Sequence, residues 1–174
     1  CLHACMAGMR MAAPLMALRE GFSAAAVGIL LALFATTQVF LAIPAGRYTD
    51  KHGLRKPILL SVFAASAGAG IAVLFPIFPV LCLSALMTGG ATGAMVIALQ
   101  RHVGRSAQDP LELKKLFSWL ALGPAVSNFI GPFSAGLLID HSGFRMAFFF
   151  LALLPLLTWF LVRNAREWPP TEHV

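Results

Sequence analysis

"AGRYTDKHGLRK", residues 45–56, packs Arg47, Asp50, Lys51, His52, Arg55 and Lys56 around two glycines, between two long apolar runs. A second stretch, "AGLLIDHSGFRM" at 135–146, repeats its pattern: Ala-Gly-x-x-x-Asp-x-x-Gly-x-Arg, recurring after 90 residues. What separates the two copies decides the fold. No charged residue lies between Glu20 and Arg47, between Lys56 and Arg101, between Lys115 and Asp140, or between Arg145 and Arg163. A helix needs about 20 apolar residues to cross a bilayer. The run after Lys56 is long enough for two crossings, and "FPIFP" at 75–79 divides it, because its prolines break a helix at a point suited to an interface. The predicted spans are 1–18, 24–45, 57–75, 80–100, 116–139 and 146–162. Three spans separate the two charged copies, so they face opposite sides of the membrane. The fold class is therefore an all-α membrane protein, one domain over 1–174, with six helices arranged as a 3+3 inverted repeat, a pattern of secondary transporters.

Composition agrees. The chain is 59% hydrophobic and 11% charged, with a mean hydropathy of +0.81, whereas a soluble domain has roughly 25% charged residues. The net charge of +6 does not indicate nucleic acid, because the basic residues fall in short clusters between apolar runs and not on an aromatic-interleaved surface. Cys1, Cys5 and Cys82 have no disulfide or zinc spacing. No Gly-x-Ser-x-Gly elbow, phosphate loop or His-Glu metal pair occurs, so neither catalysis nor a metal or other cofactor is expected. "GGATG" at 89–93 lacks a Lys and lies within span four, which reads as close helix packing.

Lys and Arg set the orientation. Arg47, Lys51, Arg55, Lys56, Arg101, Arg105, Lys114, Lys115, Arg163 and Arg166 fall on one side, and Arg19 and Arg145 on the other. The first side is expected to be cytoplasmic, with both ends of the chain there. The chain begins inside an apolar segment, so a fragment lacking its start and its C-terminal half is expected.

Polar groups inside spans are the remaining candidates. Arg10 lies eight residues before Leu18, which at 1.5 Å per residue is roughly 12 Å from the end of span one. An Arg at that depth costs at least about 2.5 kcal/mol to insert and marks a functional position unless it snorkels to the interface. Gln38 and Asn128 either line a cavity or hydrogen-bond backbone carbonyls. Pro132 frees the Asn128 carbonyl and Pro124 that of Leu120, so span five is expected to bend. Small residues recur at fourfold spacing at Gly123, Ser127, Gly131 and Ala135, and again at Ala24, Gly28, Ala32 and Thr36, as packing stripes. No Asp or Glu lies deep in a span, and His3 is a substitute proton carrier only near the start.

Gly46-x-x-x-Asp50-Lys51-x-Gly53-x-Arg55-Lys56, placed between spans two and three, resembles the signature loop of the major facilitator superfamily. The resemblance implies the N-terminal six-helix half of a twelve-helix transporter. It implies that Asp50 latches one conformation by meeting the positive end of a neighbouring helix and nearby basic groups, an arrangement worth roughly 0.3–1 kcal/mol at a helix N-terminus. "GPAVSNFIGPFSAG" at 123–136 resembles the span-five Gly-Pro motif of the family's antiporters through Gly123, Pro124, Gly131, Pro132 and Gly136, with Ala135 where a second Gly is usual. The Arg that often precedes the span-four glycines is absent, since Ala85, Leu86 and Met87 stand there. Because the family's first and fourth spans line a central cavity, Arg10 becomes a candidate for an anionic group. The implied function is proton-coupled efflux of a small molecule by alternating access in a bacterial inner membrane, with substrate, protons, the bilayer and the missing half as partners. Uptake by symport or uniport, or a non-transporting assembly role, fits the same features.

Overall fold

The computed structural model describes residues 1–164 and contains six helices: α1 (Leu2–Arg19), α2 (Ala24–His52), α3 (Arg55–Leu74), α4 (Phe78–Ser106), α5 (Pro110–Ser142) and α6 (Phe144–Val162). Five of them, α2 to α6, are long and apolar enough to cross a membrane. The shorter α1 carries His3, Arg10 and Arg19. Arg166 lies outside the described residues.

Local chemistry fixes the ends. Ser23 caps α2 by accepting from the Ala26 amide at 3.2 Å. Asp109 caps α5 by accepting from the Leu111 and Glu112 amides, both at 2.8 Å, while Glu112 reaches back to the Gln108 amide. These bonds satisfy donors that a helix start leaves open. Pro110 then occupies a first-turn site where its missing N–H costs nothing.

The charged stretch differs from the expected loop. α2 continues through Asp50 to His52 and α3 begins at Arg55, so only Gly53 and Leu54 turn the chain. α4 likewise runs past 100 to Ser106. The apolar run ends at the membrane surface, but Lys, Arg, Gln and Ala all favour helix in water too, so charge marked the edge of the bilayer and not the edge of the helix. The turn depends on Gly53, at φ 74° and ψ −164°, and its counterpart Gly143, at φ 85° and ψ 174°, joins α5 to α6. That backbone region is open essentially to Gly alone. Gly53→Ala is therefore expected to lose about 1–3 kcal/mol, read as a lowered melting temperature in detergent.

Helix contacts follow the repeat. α2 packs mainly on α4 as α5 packs mainly on α1, α3 meets α4 as α6 meets α1, and α1 with α4 and α3 with α6 pack across the middle. Exchanging helices one to three with four to six preserves this scheme. α2 and α5 also end at His52 and Ser142, equivalent positions 90 residues apart.

Close approach comes from glycine. A Cβ at Gly89 of α4 would overlap the Phe34 carbonyl of α2, and one at Gly131 of α5 would overlap the Ala4 carbonyl of α1. Where lipid is as apolar as Leu, such backbone contact and interhelical hydrogen bonds hold helices together. Thr37 donates to the Leu86 carbonyl at 2.7 Å and Ser66 to the Ala152 carbonyl at 3.0 Å. The stripe Ala24, Gly28, Ala32 and Thr36 is not used this way: a Cβ at Gly28 would meet nothing within 4 Å. α2 packs through Leu30, Phe34, Thr37 and Gln38 instead. α2 and α5 keep most of their apolar surface exposed, with Phe40, Ile43, Phe129 and Phe133 outward.

Candidate functional site

Asp50 sits in the last turn of α2 and meets two guanidinium groups from α4. Arg105 Nη2 donates to its Oδ1 at 2.7 Å, and Arg101 Nη1 donates to its Oδ2. Arg101 and Arg105 are four residues apart, so both project from one face of α4. The Asp50 side chain is 22% exposed. Partial exposure screens the pair, which places each contact near the upper part of the 0–1 kcal/mol range for surface pairs. Gly46 provides the space: a Cβ there would lie 2.8 Å from Arg101 Nη2 and 3.0 Å from its Nε. Thr49 donates to the Ala45 carbonyl at 2.8 Å, holding its hydroxyl within α2.

Of the partners that the resemblance implied for Asp50, the nearby basic groups are present here as Arg101 and Arg105. The carboxylate lies against the C-terminal turns of α4, where the backbone presents carbonyls, so side-chain cations carry the attraction. Arg101 and Arg105 were visible in sequence only as loop charges. Their four-residue spacing was the available signal, readable once α4 is known to continue beyond the apolar run. Lys51, Arg55 and Lys56 are exposed around this cluster.

The second copy has the same frame and different chemistry. Gly136 faces Met11, whose Cε would lie 3.7 Å from an added Cβ, as Gly46 faces Arg101. The 90-residue shift carries Arg101 and Arg105 onto Met11 and Leu15. Asp140 is exposed and forms no ion pair among the described residues. At that end Arg19 instead lies over the Phe144 ring, 5.1 Å from its centroid, joining α1 to α6.

Span five divides into two uses. α5 stays helical through Pro124 and Pro132. Ser127, Gly131 and Ala135 are buried along one stripe, and Gly131 lies against Ala4 and Gly8 of α1. Gly123 departs from the expected stripe: a Cβ there meets nothing within 4 Å. With Pro124 it lines a cavity of about 550 Å³, shared with His3, Gln100, Phe117 and Leu161.

The candidate cavity residues separate. Gln38 is half-buried on α2, where its Cγ would lie 2.9 Å from a Cβ on Gly93, so its stem covers the α4 glycine. α2 makes no contact with α5, so Gln38 is not joined to Asn128. Arg10 and Asn128 are both exposed. Among the described residues no group of three His, Cys, Asp or Glu side chains converges on a metal position.

The sequence profile of the Major Facilitator Superfamily matches residues 1–173. The chain belongs to the major facilitator superfamily. The tetracycline resistance protein, class B, of Escherichia coli is 33% identical over 158 residues, which cover 83% of this chain and 37% of the relative. The class H tetracycline resistance protein of Pasteurella multocida is 36% identical over 129 residues, covering 72% and 31%. The inner membrane transport protein YajR of E. coli K12 is 32% identical over 159 residues, covering 86% and 33%. The chain thus spans about a third of the length of the curated relatives it matches. Its six helices correspond to the N-terminal half of the superfamily fold, in a multi-pass integral membrane protein.

Proposed function

We propose that this superfamily member acts as half of a secondary transporter that exports a small molecule by alternating access, driven by protons, in a bacterial inner membrane. The observation that carries this reading is the one-sided ion pair. Two copies of one turn occupy equivalent places, yet among the described residues only the Asp50 copy is tied by arginines to the opposite repeat. A device present at one end of the bundle biases that end toward closure, and a ligand that prefers the other arrangement shifts the balance by its differential affinity. The relatives named for tetracycline resistance, and the Gly-Pro pairs of α5, support efflux and antiport. In this reading the basic turns lie in the cytoplasm, both ends of the chain lie there with them, and the remaining half of the same chain completes the pathway. No catalytic step is assigned.

The test is tetracycline flux into proteoliposomes containing the full-length transporter. An outward proton gradient should drive accumulation at least several-fold above a gradient-free control, and a protonophore should abolish the difference. Flux indifferent to the gradient would favour uniport. No flux of any drug tried would favour the assembly role.

A further inference from the structure

α2 and α3 touch each other far less than their counterparts α5 and α6 do. The space between them is a groove of about 350 Å³, floored by Gly90, Ala91 and Ala94 of α4. Its walls are one stripe of each helix, Leu41, Pro44 and Tyr48 of α2 and Pro57, Leu60 and Ala64 of α3, spaced by three or four residues. Leu41, Pro44 and Leu60 are exposed at its rim, whereas Gly90 and Ala91 are buried beneath it. The second repeat closes the same place. Ninety residues on, Gly131 and Ala135 stand where Leu41 and Ala45 do, and both are buried, Gly131 against the backbone of α1.

The groove ends at the basic turn. Lys51 follows Tyr48 by three residues on α2, and Lys56 precedes Leu60 by four on α3, so each wall carries a lysine beyond its apolar stripe. Both lysines are exposed. Asp50, the acid of this turn, is engaged by Arg101 and Arg105 of α4, so its charge is committed elsewhere. In the second copy His141 and Met146 occupy the places of Lys51 and Lys56. Groove and lysine pair thus coincide at one end of one repeat. Membrane orientation alone accounts for basic residues at this end, as at Lys114 and Lys115. It does not account for a lysine on each wall of a slot floored by small residues. An apolar slot open sideways to the bilayer, with two cations where it reaches the membrane surface, matches an anionic phospholipid: basic residues beside and between membrane helices hold such headgroups, and an acyl chain fits the apolar walls.

We propose that the groove between α2 and α3 binds one anionic phospholipid, its acyl chain lying on Gly90, Ala91 and Ala94 and its phosphate between Lys51 and Lys56. The site is separate from the transport reading, whose failure would leave it untouched. The test uses the full-length transporter, stripped of lipid in detergent and offered dioleoyl phosphatidylglycerol or dioleoyl phosphatidylcholine, with retained lipid counted by native mass spectrometry. Wild type is expected to retain the phosphatidylglycerol about tenfold more than the phosphatidylcholine, because each lysine beside the membrane attracts anionic lipid. Lys51→Gln combined with Lys56→Gln should remove most of that preference, while Lys114→Gln combined with Lys115→Gln should keep it. Ala94→Phe, which fills the floor, should lower retention of both lipids. Gel filtration checks folding, and Ala64→Leu blocks the same space from α3 if Ala94→Phe does not elute as a single peak. Equal retention of the two lipids by wild type, a preference that survives loss of Lys51 and Lys56 or falls as much with Lys114 and Lys115, or a filled groove that retains lipid as before would overturn the proposal. The last result is also what a segment of the remaining half lying in the groove would give.

Discussion

Asp50→Asn is expected to lower transport by about tenfold, while Asp140→Asn leaves it within about twofold. The substitution keeps the shape of the side chain and removes its charge, so both arginine contacts lose their ionic part. If the two together contribute about 1.4 kcal/mol to one conformation, their loss changes its population ratio tenfold. Arg101→Ala and Arg105→Ala should each give part of the effect, and neither should add to Asp50→Asn, because a double-mutant cycle isolates a shared interaction. The Asp140 control is demanding. That carboxylate has the same neighbours in sequence pattern, but Met11 and Leu15 stand where the arginines would be. Initial rates in proteoliposomes, normalised to inserted protein, give the comparison. Equal losses at 50 and 140 would mean that the turns matter for their backbone and not for the ion pair.

Gly131→Val and Gly89→Val are expected to destabilise the bundle most, by more than the about 1–3 kcal/mol usual for overpacking. At both positions the first added carbon already overlaps a backbone carbonyl of the facing helix, Ala4 for Gly131 and Phe34 for Gly89. A flexible side chain can swing away from such a clash, but a helix backbone cannot. The helices must separate, and α2–α4 and α1–α5 are the main packing contacts of α2 and α5 and join the two repeats. Thermal aggregation in detergent should show a large fall for both variants. Gly123→Ala, where added carbon meets open space, should remain near wild type.

Much of the fold was legible because a bilayer restricts the choices. Runs free of charge gave the helices, and the matched turns at 45–56 and 135–146 gave the symmetry that the α1–α5 and α2–α4 contacts display. Helix ends were less legible. Charge reports where lipid stops, whereas Ser23, Asp109, Gly53 and Gly143 decide where helices start and stop, and all four lie outside the predicted spans. Asp50 could be singled out from its turn, but its partners lie 51 and 55 residues away on α4. No local pattern encodes that distance; only the packing of α2 on α4 does. The small-residue stripes show the same limit. Gly28 and Gly131 look alike in sequence, and only the facing helix makes Gly131 a contact and leaves Gly28 open.

The inverted repeat underlies every functional statement here, since it places the two turns on opposite sides and makes the ion pair one-sided. Single cysteines at Lys51 and His141, in a background with Cys1, Cys5 and Cys82 changed to Ser, test it in intact cells with a membrane-impermeant maleimide. Cysteine 141 should label from outside, and cysteine 51 only after the membrane is opened. Labelling of both from the same compartment would contradict the repeat and the latch built upon it.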